Sequence, residues 1–416
     1  MSTPSLLNIP YLYKAGTLYS QIPESGAGDF TVTRTTTPTA GRSTRINKDG
    51  LIELVADNVP RLDYPLGGAV NGCPALLVEP SAQNLALQSE NFGTTWNPAN
   101  MLAFGSGSVL NTTATLDPYG TNVADFIVGN TTVGQHRFDQ TTTSVSGSYT
   151  LSVFVKAGGY SFTRLRIGLA GAVFDLSSGV VVTTDAGITS SIQSFGNGWF
   201  RCIIGKAASA ANEIIRINMQ PTSSTADFAG DGTSGIYVFG AQYETGSVAT
   251  SYIPTTTQSI TRATDVISRT SASALIGQSE GTIYAEVVLR NSAVTAIFAI
   301  DDGDTSDFIS IIRLANFTIR AQIRRAGASI ASIITSSPIA LGTHKIALAY
   351  KNADYALYID GVSAGTSANS TDYPATALTQ CVLSNASYGP LNDRIRAAAI
   401  YPNRLTNAQL ATLTAP

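Results

Sequence analysis

Apolar and polar residues alternate with a period of two along most of this chain. Residues 149–156 (YTLSVFVK) place Tyr149, Leu151, Val153 and Val155 on one face, and 317–324 (FTIRAQIR) alternate Phe317, Ile319, Ala321 and Ile323 with Thr318, Arg320, Gln322 and Arg324. Residues 283–289, 345–350, 355–360 and 394–401 repeat the pattern. Successive side chains of a strand point to opposite faces, so this period predicts antiparallel strands with one buried and one wet face. Asp49-Gly50, Gly196-Asn197-Gly198, Asp231-Gly232, Asp302-Gly303 and Asp360-Gly361 punctuate the strands with residues that accept the positive φ of tight turns. One helix is predicted, a short C-terminal turn capped by Thr406 and carrying Leu410 and Leu413. Many short strands with turn punctuation imply an all-β protein built of two antiparallel β-sandwiches.

Texture divides the chain. Residues 1–82 are rich in Pro and Thr (TVTRTTTPTAGRSTRIN, DNVPRLDYP) and hold few alternations. With little to bury alone, they are expected to order against something else, as an irregular attachment and oligomerisation segment. Residues 83–255 carry one set of strands, 256–277 (TTQSITRATDVISRTSASALIG) a linker, and 278–416 a second set. A chain starting near Gln83 is therefore expected to keep both sandwiches. No short period marks a solenoid.

Composition narrows the function classes. Of 416 residues, 13% are charged and 44% hydrophobic, and the net charge is -3. Without a basic excess the chain is not expected to grip nucleic acid. No apolar run approaches the roughly 18 residues of a membrane span, and the first residues do not read as a secretory signal. Cys73, Cys202 and Cys381 are scattered, so neither a disulfide framework nor a zinc site is expected. The two histidines, His136 and His344, cannot build a three-histidine metal site or an H-E-x-x-H helix. No cofactor is expected, apart from Ca²⁺ as a minor alternative.

Gly361-Val362-Ser363-Ala364-Gly365 matches G-x-S-x-G, but SANSTDYPAT follows where a nucleophile elbow needs a helix, and no histidine follows His344. A hairpin turn at Asp360-Gly361 accounts for it. The acids Asp301, Asp302, Asp304 and Asp307 suit either a solvated hairpin or Ca²⁺ held by carboxylates. Trp199, in GNGWFRC, reads as a core anchor, with a sugar-stacking platform as the alternative. Trp96 in a polar loop, His136 in VGQHRFDQ and Tyr160 in KAGGYSF are the candidate glycan contacts, because exposed rings suit the apolar faces of sugars.

Four motifs carry a resemblance: RSTRINKDGLIELVADNVPRLDY with CPALLVEPSAQNLALQSENF (42–64, 73–92), SYTLSVFVKAGG (148–159), FGNGWFRC (195–202) and AGDGTSGIYVFGAQYETGSVATSYIPTTTQSITRATDV (229–266). Together they resemble tailed-bacteriophage virion appendages, fibres or spikes, with a carbohydrate-binding-module-like jelly roll. Residues 278–416, through GTIYAEVVL, GTHKIALAYKNADYALYIDGV and IRAAAIYPNRLTNAQLATL, resemble a concanavalin A-like, laminin-G-like lectin/glucanase domain. Glucanases of that type carry E-x-D-x-x-E, and this chain does not, so the resemblance implies binding and not cleavage. It also implies a homotrimer in the virion, assembled in the host cytoplasm, with other virion proteins and host surface polysaccharide as partners. The alternatives are a connector without sugar binding and a glycan depolymerase.

Overall fold

The computed structural model describes residues 2–64, 72–290, 294–370, 376–385 and 387–416. Its strands are antiparallel throughout and form two sandwiches. In the first sheet of the C-terminal sandwich, neighbouring strands run Val362–Ser367, Tyr355–Ile359, Gly342–Lys351, Glu280–Leu289, Asp393–Tyr401, Ala75–Val78 and Arg61–Asp63. Leu6–Asn8 also pairs with Asp393–Tyr401. The facing sheet runs Tyr13–Lys14, Thr17–Leu18, Phe30–Thr33, Val266–Arg269, Gln380–Ser384, Thr295–Asp301, Phe308–Arg313, Ile319–Arg325 and Ala328–Ile334. Alternation sorts one strand between two environments: Ile346, Leu348 and Tyr350 enter the inter-sheet core, while Ala347 and Ala349 lie on the outer face. There, small alanines admit the helix Asn407–Leu413, which buries Leu410 and is closed by a reciprocal Thr406–Gln409 capping box. Phe317 sits in a turn at φ 63°, so its strand begins at Ile319 instead.

Six of these strands come from the first 78 residues, which corrects the expectation of an irregular segment 1–82. Leu6, Leu18, Phe30, Val32, Leu62, Leu76 and Val78 fill the same core as Ile283, Ile300 and Ile395. The strands are only two to four residues long, too short for alternation to show, and Leu6–Asn8, Phe30–Thr33 and Ala75–Val78 join the sheets through partners more than two hundred residues away. The expectation that a chain starting near Gln83 keeps both sandwiches therefore fails: such a chain lacks these strands. The linker 256–277 is corrected too, because Ile260–Arg262 and Val266–Arg269 are strands.

The other sandwich is an insertion in this one. Its stem is the pairing of Ala82–Asn84 with Ile260–Arg262, which in turn pairs Thr36–Thr37. One sheet orders Asn97–Ala99, His136–Thr141, Ile214–Gln220, Phe162–Ile167, Ala170–Asp175 and Val180–Thr184; the other orders Asp125–Val128, Gly235–Thr245, Gly147–Gly158, Trp199–Ser209 and Ile188–Ser194. Tyr149, Leu151, Val153 and Val155 face Phe138, Leu165, Ile215 and Ile217 across its core. The hairpin Ser43–Ile46/Ile52–Val55 lies against the outside of the five-stranded sheet, where Ile46 and Ile52 pack with Phe154, Trp199, Phe239 and Tyr252.

At the stem, buried charges hold the two sandwiches together. Arg61 pairs with Glu79 at 2.6 Å and with Asp265; Arg34 reaches Asp265 at 3.0 Å and Arg262 reaches Glu79 at 3.0 Å. Ser251 closes the network by donating to Glu79 through its backbone N–H and its hydroxyl, both at 2.7 Å. Burial pushes the Glu79 carboxyl up, but the guanidiniums of Arg262 and Arg61 outweigh it and hold Glu79 well below the usual range.

Candidate functional site: an arginine-lined sheet face

The structure removes the three aromatic candidates from the surface. Trp96 is 3% exposed, donates Nε1–H to the Gln88 carbonyl at 3.3 Å and lies 4.9 Å from Phe92, ring centre to ring centre. His136 is 0% exposed; its Nε2 donates to the Asn130 carbonyl at 2.9 Å and its ring lies 4.3 Å from Phe228. Tyr160, 9% exposed, meets Phe228 edge-on at 5.2 Å. A ring with both faces covered cannot stack on a sugar, so none of the three is a glycan contact. Polar neighbours in sequence concealed rings that fold back to plug the sandwich. Trp199 is buried as well, its Nε1–H donating to the Leu116 carbonyl at 2.7 Å, but on the outer face of the five-stranded sheet and not between the sheets.

The acidic turn uses its carboxylates on itself. Asp301 accepts from the Gly303 N–H and the Tyr388 hydroxyl, both at 2.9 Å. Asp302 accepts from Thr376 at 2.8 Å and Asp304 from the Ser306 N–H at 2.5 Å. Among the described residues no three His, Cys, Asp or Glu side chains converge as a metal-ligand set, so Asp301, Asp302 and Asp304 assemble no Ca²⁺ site. The G-x-S-x-G match spans a hairpin whose Asp360 and Gly361 both have positive φ, 48° and 81°. His344 engages Asp360 through Nδ1 at 2.6 Å and the Ala340 carbonyl through Nε2 at 2.8 Å, leaving neither nitrogen for Ser363. Residues 371–375, within the segment expected not to be helical, lie outside the described residues.

The open side of the six-stranded sheet carries a different chemistry. Phe138, Leu165, Ile215 and Ile217 point inward, so their neighbours in sequence point outward. Register then sets the outward residues in rows. Arg137, Asn218 and Arg164 stand side by side; Asp139, Arg216 and Arg166 form the next row. Phe162 lies between Gln220 and Asp175, half-buried at the end of the patch. Gly171 faces Arg166, and a Cβ there would come 1.9 Å from the Leu165 carbonyl oxygen, so only glycine fits under the row.

Three of the four guanidiniums on this face pair with the carboxylates of Asp139 and Asp185, while Asp175, at the end of the patch, accepts from the hydroxyls of Ser177 and Ser178. Asp139 pairs with Arg137 at 3.0 Å and with Arg216 at 3.4 Å; Asp185 pairs with Arg164 at 2.6 Å. Among the described residues Arg166 has no carboxylate partner; it donates to the Leu169 carbonyl at 2.7 Å. Partial burial, with the neighbouring guanidiniums of Arg164 and Arg216, holds Arg166 below its ordinary range. Gln135 accepts from Arg137 at 3.3 Å and from Asn218 at 3.4 Å, while Asn218 Oδ1 and Arg164 Nε are buried without a partner among the described residues. The surplus of positive charge, presented as planar forks, matches carboxylate, sulfate or phosphate groups on a chain lying across the face. The sequence signals were R-F-D (137–139), F-T-R-L-R (162–166) and R-I-N (216–218), alternations whose charged side is the informative one.

Comparison with known proteins places part of the chain. Residues 261–411 match the family model described as the concanavalin A-like lectin/glucanases superfamily, and this segment supplies most strands of the C-terminal sandwich. No curated protein matches the chain. Among solved structures, the CBM40 of the Ruminococcus gnavus IT-sialidase bound to α2,3-sialyllactose is similar at 15% identity, over 35% of this chain and 87% of its own, with a TM-score of 0.31. The heptameric SAP-like pentraxin of Limulus polyphemus is similar at 16% identity, over 32% and 68%, with a TM-score of 0.27. The leech intramolecular trans-sialidase is similar at 13% identity, over 34% and 24%, with a TM-score of 0.30. Likeness this distant carries no argument about the ligand.

Proposed function

We propose that this protein binds an acidic glycan without cleaving it, through the arginine rows of the inserted sandwich, as a structural component of a bacteriophage virion appendage that attaches to host surface polysaccharide. The observation that carries the binding reading is the pair of cross-strand rows Arg137–Asn218–Arg164 and Asp139–Arg216–Arg166, open and under-neutralised. The lectin-type fold of the C-terminal sandwich and the appendage-like motifs of residues 42–266 support the setting. The reading is of binding without hydrolysis: the carboxylates of these rows, Asp139 and Asp185, are each engaged by arginines. One such face binds weakly; copies around a trimer axis multiply the affinity by avidity.

The test is a glycan array with carboxylated, sulfated and neutral polysaccharides, read with the wild type and the Arg164→Ala/Arg166→Ala double variant. Retention of acidic glycans that the double variant loses, with no release of reducing sugar, is the expected result. A blank array with normal particle incorporation favours a connector without sugar binding, and reducing-sugar release favours a depolymerase.

A further inference from the structure

Between the two sandwiches lies a second concavity, distinct from the open face. It encloses about 640 Å³, within the roughly 300–1,000 Å³ typical of small-molecule sites. One wall is the outer surface of the five-stranded sheet. There Thr189, Ser191 and Gln193 of the edge strand Ile188–Ser194 pair with Gly205, Ile203 and Arg201. Arg290 and Arg394 line it from the C-terminal sandwich, with Phe195 and Phe317 as apolar walls.

Arg201 is the unusual member. It is 7% exposed, yet among the described residues no carboxylate lies within ion-pair distance and its Nε has no partner; it donates to Ser152 Oγ at 2.9 Å and sits 5.4 Å over the Phe154 ring. Buried charges are normally paired, because leaving water costs more than a lone hydrogen bond returns. Burial pulls its guanidinium below the ordinary range, and Glu244 opposes this from beyond contact. Glu244 is itself held by the Thr250 N–H at 2.9 Å, the Thr250 hydroxyl at 2.7 Å and Gln242 at 2.6 Å. Around the stem and cleft, the buried Arg34, Arg61 and Arg262 each pair with Glu79 or Asp265, whereas Arg201 makes no ion pair among the described residues. Of the other charges at this end, Arg394 pairs with Asp63 and Arg313 with Asp393, whereas Arg290 makes no ion pair among the described residues.

We propose that this cleft is a second ligand site, taking a small carboxylated sugar whose carboxylate pairs with Arg201 and whose hydroxyls meet the Thr189, Ser191 and Gln193 row. The hydroxyl-rich strand supplies donors and acceptors for a polyol, and the phenyl walls suit its C–H faces. The site is closed on one side by the other sandwich, so it takes a single sugar unit, whereas the open face takes a chain.

Titration calorimetry on the full chain tests this, with sodium glucuronate as probe and glucose as its neutral counterpart. Saturable glucuronate binding is expected, with glucose weaker by about tenfold or more, as the loss of one charge-assisted hydrogen-bonded pair implies. Arg201→Met is expected to weaken glucuronate by a similar factor. Because Arg201 is buried, Ser191→Trp is the second variant: it fills the cleft from an exposed edge-strand position and abolishes binding with the thermal transition unchanged. Arg164→Ala leaves glucuronate binding intact, which separates this site from the open face. Absence of saturable glucuronate binding in the wild type, equal binding of glucose, or full binding by Ser191→Trp overturns the proposal.

Discussion

At the stem of the insertion, Arg34, Arg61 and Arg262 are buried and each reaches Glu79 or Asp265; on the open face of the inserted sandwich, Arg137, Arg164, Arg166 and Arg216 are partly exposed, and the first, second and last of them reach Asp139 or Asp185. The same side chain serves opposite ends. Out of water, an arginine must be matched by carboxylates and carbonyls, so every stem arginine makes a buried ion pair and the network joins two sandwiches. In contact with water a surplus is tolerated, because solvent screens it until an anion arrives. Arginines that are all buried in ion pairs mark a structural role, and partly exposed arginines that outnumber their carboxylates mark a surface with binding capacity to spare.

The largest test of this contrast removes the stem. Deleting residues 2–79 takes away nine strands, six of them in the C-terminal sandwich, with the partners Arg34, Arg61 and Glu79, and is expected to leave no cooperative unfolding transition by circular dichroism. A sharp melt from that fragment would show that the insertion and residues 80–416 suffice. Single changes rank below it. Glu79→Ala strands Arg61 and Arg262 without their shared carboxylate and should cost about 3–5 kcal/mol in chemical denaturation. Trp96→Ala should cost a similar amount, about 3–5 kcal/mol, because a buried ring is lost. A Trp96 variant of wild-type stability that binds glycan poorly would return the residue to the surface.

The pH dependence sharpens the same contrast at intermediate size. Glu79 is held low in the folded state, so its contribution is present above the unfolded carboxylate range and lost as pH falls below about 4.5. Asp125 behaves oppositely. Burial raises it to about 6 against the opposing N–H groups of Phe92 and Asn111, and burial likewise raises Asp393 to about 6 despite Arg313. Those two contributions are fully present below the unfolded value near 4 and are lost as pH rises through about 6. Thermal unfolding from pH 3 to 8 should therefore peak near pH 4–5 and decline on both sides, by a few kcal/mol at most. A curve flat between pH 5 and 7 would count against the raised Asp125 and Asp393.

The smallest stability effect belongs to the open face. Arg164→Ala breaks a half-exposed pair with Asp185 and should shift stability by less than about 1 kcal/mol, while acidic-glycan retention falls clearly. Loss of stability on the scale of Glu79→Ala would mean that the open rows are structural after all.

The sequence by itself determined the all-β class, the hairpin at Asp360-Gly361 and the capped C-terminal helix, because strand period, turn φ and capping are set by residues a few positions apart. It did not disclose that residues 6–78 complete the C-terminal sandwich, nor that Trp96, His136 and Tyr160 are enclosed. Strands of two to four residues carry no readable period, and a ring's exposure depends on what packs against it from elsewhere. The arginine rows were half legible: alternation places Arg164 and Arg166 on one side of a strand, but only register with Ile214–Gln220 and His136–Thr141 brings Arg216 and Arg137 beside them. Local pattern decides which way each side chain points; tertiary packing decides which charges meet, and whether water or another side chain answers them.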